Sequence, residues 1–352
     1  MIEFFSQIID KISGLWTLPW ILVGFIVTII FNHLIGSDIV NKIMKKLGLV
    51  LLYFFVPFLL FRIFLGVDLG FEQIEFIIVT ILVLIFMYIL AYIFAEIKAE
   101  KLDLKPKDKH KFIKTVFTNQ GRSSAFIGGA LLTSPWKVEA AIFIALVGIA
   151  LFAVVPAILS YMYKKETHKS DEKIHALPWY LKIYPWYLIC FVIAAVVLHG
   201  PMKVNIIWED SLGGILFKLF TAITIPAALY YVGSGIHPKD LKKEEMKKLF
   251  TIKKNVETKD HWPWVRNIFL LTVIITPLIL SVFFGLIYTM GFISSAWFAV
   301  IVINSFLPIT STNMFLIPYD IDKKSTALSI TWSTIVCVPI IVFLIYIFTI
   351  FL

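Results

Sequence analysis

Apolar residues run through this chain in blocks about as long as a bilayer core is thick, roughly 20 residues each, separated by short polar segments rich in lysine. The blocks predict spans at 14–36, 47–66, 74–97, 112–132 and 138–163, then at 183–199, 211–236, 265–288, 295–317 and 325–351. No segment reads as a separate soluble domain. The expected fold is therefore an all-α polytopic membrane protein with ten transmembrane helices.

Two blocks are interrupted, FTNQGRSSAFIGGALL at 117–132 and INSFLPITSTNMFLI at 303–317. Within lipid, every backbone polar group must be bonded internally, so Asn, Gly, Ser, Thr and Pro cluster at membrane depth only around a cavity or a protein interior. The interruptions sit at matching places in an internal repeat. VPFLLFRIFLG from Val56 and IPAALYYVGSG from Ile225 share Pro57/Pro226, Leu60/Leu229, Ile63/Val232 and Gly66/Gly235 at the same spacing, and Val155-Pro156 answers Val338-Pro339. Each half holds an odd number of spans, so the second half inserts upside down relative to the first. The expected organisation is a first repeat at 1–163, a cytoplasmic linker at 164–182, and a second repeat at 183–352 containing a basic cytoplasmic loop at 237–264. Spans four and nine, the broken ones, are expected to cross.

Charge orients the chain. Of its 32 Lys and Arg residues, 25 fall in the loops after the odd-numbered spans, which makes those loops cytoplasmic by the positive-inside rule and turns both termini outward. Lys11, Lys137 and Lys203 are the basic residues on the opposite side. The net charge of +9 is thus loop charge facing an anionic leaflet rather than a nucleic-acid footprint. The stretch His237 to Asn255 reads as a solvated, topology-setting loop that could also touch lipid headgroups or a regulatory partner. Arg62, Lys114 and Lys218, nearer the apolar blocks, are expected to snorkel. Apolar residues make up 59% of the chain, beyond the range of soluble domains. Two cysteines, each in an apolar run, suggest neither a disulfide framework nor a metal site, and the first residues lack the pattern of a cleaved signal peptide.

The candidate chemistry lies in the two breaks. Asn119, Gln120 and Gly121 offer an unwound stretch, and Ser123 or Ser124 suits the N-cap of a second half-helix. In the other break, Asn304 and Ser305 precede Pro308, which removes a backbone donor, and Thr310, Ser311 or Thr312 can cap a half-helix beyond it, with Asn313 beside them. Two half-helix N-termini meeting there would favour an anion, and Arg122 adds a full charge. Two roles stand open for Arg122: pairing with an anionic substrate, or bonding to backbone carbonyls freed by the break. Asn119, Asn304, Thr310 and Asn313 are also hard oxygen ligands suited to sodium. No acidic residue lies at a midplane position to relay protons.

Across nearly its whole length the chain resembles the auxin efflux carrier, or PIN-like, family. The resemblance rests on Asn119-Gln120-Gly121, on TIPAALYYVGSGIHP at 224–238, and on Leu307-Pro308-Ile309-Thr310 through Asp322 to Leu328-Ser329 and Thr334. The chain departs from that pattern at Phe126, where the family often has Pro, and at Arg122 with its neighbouring serines. The resemblance implies a scaffold of spans one, two, six and seven, a moving transport domain of spans three to five and eight to ten, and a homodimer joined through the scaffold. It further implies an elevator-type exporter of small organic anions such as carboxylates, in the cell membrane. The sodium and bile acid symporters share the broad architecture, which leaves a sodium-coupled organic anion symporter as the nearest alternative. A membrane-embedded enzyme would need paired carboxylates, a Ser with a base, or clustered His, and none is seen. An ion channel would repeat its pore elements about an axis, which one copy of each break does not do.

Overall fold

A computed structural model describes residues 19–65, 70–123, 135–167, 179–199, 212–234 and 261–352, with the single positions Met202, Ile236 and Lys247. Ser124, the centre of the expected linker at 168–178 and most of the basic loop at 237–264 lie outside the described residues. The described residues form an all-α membrane protein, without a strand among them.

In chain order the helices are α1 (Trp20–Ile35), α2 (Ser37–Leu65), α3 (Phe71–Lys101), α4 (Pro106–Thr118) and α5, which runs from Lys137 to Thr167. After them come α6 (Trp179–His199), α7 (Gly213–Ser234), α8 (Trp262–Thr289), α9 (Ser295–Ser305), a 3-10 segment (Ser311–Tyr319) and α10 (Lys323–Phe351). Six of them, α2, α3, α5, α7, α8 and α10, are long and apolar enough to cross a membrane. Ile78, Leu82, Ile85, Ile89 and Ile93 on α3 point outward. An exposed face this apolar suits lipid, not water.

Three helices widen into a π turn just before a proline: Leu51–Phe55 before Pro57, Ala150–Val154 before Pro156, and Leu270–Ile275 before Pro277. Proline has no N–H and its ring crowds the carbonyl four residues back, and a wide turn relieves that crowding. The turn also strands a carbonyl. In α8 the Thr276 N–H is spent on the Leu271 oxygen, and Pro277 has none to give, so the Thr272 carbonyl loses its main-chain donor. Pro339 sits inside α10 without such a turn.

The chain divides into two compact units. One comprises 1–78, 124–146 and 184–236. Within it α1 and α7 pack backbone to backbone: a Cβ on Gly24 would collide with the Tyr230 carbonyl, and one on Gly233 with the Ile21 carbonyl. Small residues are what permit such close approach between helices in lipid. Phe54, Phe55, Phe58 and Phe220 make edge and stacked ring contacts beside this pair. Arg62, expected to snorkel, instead donates to the Lys218 carbonyl at 3.0 Å and the Thr221 hydroxyl at 2.7 Å.

The other unit comprises 79–123, 147–183 and 237–352. Its core joins Ala91, Ala95 and Ala99 of α3, Phe112, Ile113 and Val116 of α4, Ile268 and Leu271 of α8, Ile309, and Ile330 of α10. The three alanines repeat every four residues and so form one smooth stripe down α3. Both interruptions, except for residues from Ser124 onward, fall in this unit.

Candidate functional site

The first break begins where α4 runs out. After Thr118 the chain tightens into i to i−3 turns, with Gln120 N–H donating to the Phe117 carbonyl at 3.2 Å and Gly121 N–H to the Thr118 carbonyl at 3.1 Å. The second begins as α9 ends: Leu307 N–H donates to the Asn304 carbonyl at 3.2 Å, and Pro308 has no donor to continue the ladder. The two released strands of backbone then pair with each other. Ser123 N–H donates to the Pro308 carbonyl at 2.9 Å and Thr310 N–H to the Gly121 carbonyl at 3.0 Å, an antiparallel pairing centred on Arg122 and Ile309. Groups that each helix gives up are thereby satisfied by the other.

Close approach at Gly121 depends on its missing side chain. A Cβ there would lie 2.6 Å from Leu151 Cδ2 and 3.1 Å from Asn313 Oδ1. Beyond the pairing, Thr310 is the residue that caps the 3-10 segment, its Oγ1 accepting from Thr312 N–H at 3.3 Å and lying 2.8 Å from the Thr312 hydroxyl. Ser311 and Thr312 are partly exposed.

Arg122 is 1% exposed. Its Nη2 donates to the Thr272 carbonyl at 2.8 Å, the acceptor stranded by Pro277, and its Nη1 to the Leu307 carbonyl at 3.1 Å, released where α9 breaks. Of the two roles open to it in the sequence, bonding to freed carbonyls is thus present in the geometry. Those partners are neutral, however. No carboxylate pairs with Arg122, and its Nε has no hydrogen-bond partner, among the described residues.

The buried carboxamides share a pattern. Asn119 Nδ2 donates to the Thr115 carbonyl at 2.8 Å and to Thr326 Oγ1 at 3.1 Å; Gln120 Nε2 to Thr276 Oγ1 at 2.8 Å and the Met87 carbonyl at 3.3 Å; Asn304 Nδ2 to the Val300 carbonyl at 2.6 Å. A backbone carbonyl only accepts, so these bonds fix which end of each amide carries nitrogen. Each oxygen is left over: Asn119 Oδ1, Gln120 Oε1 and Asn304 Oδ1 lack partners among the described residues, as do both side-chain atoms of Asn313. Ser305 turns its hydroxyl back to the Val302 carbonyl at 2.6 Å.

No protein-family model matches this chain, and no curated protein does.

Several residues of the unit were not expected from the sequence. Lys114, expected to snorkel, is fully buried with Nζ 3.4 Å from Asp320 Oδ2. Asp322 caps α10 by accepting from Ser325 N–H at 2.8 Å, and it also meets His261 Nδ1 at 3.0 Å and Lys111 Nζ at 3.7 Å. Its own N–H donates to Thr115 Oγ1 at 2.8 Å, so this charged cluster connects through α4 to Asn119. Burial alone would raise the Asp322 carboxyl, but the hydrogen bonds from Ser325 and the charges of His261 and Lys111 outweigh burial and hold it below the usual carboxylate range. The signal for Asp322 was available as the D-x-x-S pattern opening a long apolar block. Thr272 carried none, since what it contributes is a carbonyl.

Proposed function

We propose that the chain is a secondary-active or potential-driven transporter that exports a small organic anion, a carboxylate, by alternating access at the place where the two breaks pair. The observation that supports this most directly is the buried Arg122 guanidinium, bonded only to neutral carbonyls and matched by no carboxylate among the described residues. A buried charge without a counter-ion is costly. A negatively charged passenger lowers that cost while it is bound, so occupancy and charge compensation coincide.

In this reading the ten spans form a five-plus-five inverted repeat in the cell membrane, with both termini outward. Spans one, two, six and seven are the scaffold and the homodimer contact. Spans three to five and eight to ten carry the substrate in an elevator motion. The candidate binding residues are Asn119, Gln120, Gly121, Arg122, Ser123, Ser124, Asn304, Ser305, Pro308, Thr310, Ser311, Thr312 and Asn313.

A second reading, sodium-coupled symport of the same class of anion, is favoured by the leftover amide oxygens of Asn119, Asn304 and Asn313. Neutral hard oxygens suit Na⁺, with sodium then a co-substrate. Electrical recording from proteoliposomes against a panel of carboxylates, with and without sodium, tests both. Saturable currents that need the carboxylate are expected. Silence toward every carboxylate removes the transport reading, and dependence on sodium selects symport.

A further inference from the structure

The last helix meets both breaks with side-chain hydroxyls. Thr326 Oγ1 accepts from Asn119 Nδ2 at 3.1 Å, and Ser333 Oγ accepts from the Ile309 N–H at 3.0 Å. Seven residues separate the two, about two helical turns, so they share one face of α10. Ser329 comes three positions after the first and four before the second, which puts it on that face between them.

Ser329 is fully buried, and its hydroxyl has no partner among the described residues. Serine and threonine inside a helix have an easy alternative, the carbonyl one turn back, and Ser333 and Thr334 both use it, donating to the Ile330 carbonyl at 3.1 and 2.8 Å. Ser329 does not. A second unspent group comes from the 3-10 segment, which packs on α10. Asn313 is fully buried with Oδ1 and Nδ2 both unpartnered among the described residues, and Oδ1 lies 3.1 Å from the place a Gly121 Cβ would take. Gly121 is two residues from Asn119 and bonded to Thr310, next to Ile309. The flanking hydroxyls of α10 therefore bracket the same short stretch of paired backbone that Asn313 faces.

We propose that Ser329 is a substrate-binding residue whose hydroxyl donates to one oxygen of the transported carboxylate, with Asn313 Nδ2 as a second donor. The inference rests on the anion-transport reading above and adds to it a wall of the site on α10. Arg122 supplies charge, which any small anion satisfies. Two neutral donors supply direction, which a planar carboxylate with two acceptor oxygens satisfies. Thr326 and Ser333 act differently: each is spent on one break and holds it at a fixed height beside Ser329.

The test uses the full chain in proteoliposomes, with acetate and benzoate as probes and the saturable current as readout. Ser329→Ala and Ser329→Cys are compared, the second keeping the volume while weakening the donor. A lost hydrogen bond to a charged group predicts a KM raised about tenfold in both variants, with the maximal current little changed. A folded variant that keeps the wild-type KM, or loses only maximal current, overturns the inference and leaves the anion reading standing. If neither variant folds, the hydroxyl is structural and the inference falls. A wild-type protein silent toward both probes and the wider carboxylate panel removes the anion reading, and the inference with it.

Discussion

Arg122 bonds Thr272 at 2.8 Å through a carbonyl that is open because Pro277 lies five residues further on. The proline thus acts on the first break from another helix. Pro277→Ala restores an N–H, lets the turn tighten toward regular helix, and offers the Thr272 carbonyl an internal donor that competes with the guanidinium. Hydrogen bonds to charged groups contribute about 1.5–3 kcal/mol, so transport by Pro277→Ala is expected to fall at least about tenfold while its circular dichroism stays helical. Arg122→Lys should not do better, because a single ammonium cannot span the two carbonyls that the planar fork reaches. Wild-type flux in Pro277→Ala would show the pairing to be dispensable.

Gly121 fits because nothing projects from it. In Gly121→Ala the new methyl meets Leu151 Cδ2 at 2.6 Å and Asn313 Oδ1 at 3.1 Å. Leucine can yield where backbone cannot, so the stability cost is expected to be about 1 kcal/mol, at the low end for overpacking. The larger effect is on Asn313, and hence on transport. Leu151→Ala in the same chain makes room, so the double variant should lose less melting temperature than the losses of the two single variants added together. A coupling of about 0.5–3 kcal/mol is the range for residues in contact; strict additivity would mean that the two do not meet here.

How far the letters alone lead is visible in these two breaks. Asn119, Gly121 and Pro308 stand out in the sequence because lipid penalises them, and apolar blocks as long as α3 and α10 announce helices by length alone. The partners of Arg122 were not legible, because a backbone carbonyl has no signature in sequence and the one at Thr272, 150 residues along the chain from Arg122, is released by a proline in a different helix. Lys114 misled for a related reason. Its position near a block end suggested a snorkelling cation, yet the fold turns the 3-10 segment's end, with Asp320 in a left-handed conformation, against it. Ser329 was visible only as part of a resemblance. Its place opposite the breaks comes from the bonds of Thr326 and Ser333, which no local pattern predicts.

Gly233 sets a different kind of limit, on helix separation. Its missing Cβ lets α7 lie against the Ile21 carbonyl of α1, and Gly24 does the same in return against Tyr230. Backbone cannot rotate out of the way, so Gly233→Ala should cost more than Gly121→Ala, about 1–3 kcal/mol or beyond. The thermal midpoint of the detergent-solubilised protein measures this. An unshifted midpoint would contradict backbone contact between the two helices.

Asp322 gives the unit a predictable response to acid. Its carboxyl is held below the usual range in the folded chain, so as pH falls the unfolded chain, with an ordinary value of about 3.9, takes up the proton first. The stabilisation is therefore fully present above about pH 5 and is lost progressively as pH falls through the folded value. Asp322→Asn keeps a capping oxygen for Ser325 but removes the charge that faces His261 and Lys111. The expected cost near neutral pH is about 1 kcal/mol, since the lysine partner is partly exposed. Thermal midpoints of wild type and Asp322→Asn should then differ at neutral pH and converge as the buffer is taken toward pH ~3. A gap that stays constant across that range, in a variant that keeps the capping oxygen, would remove the carboxylate's charge from the account.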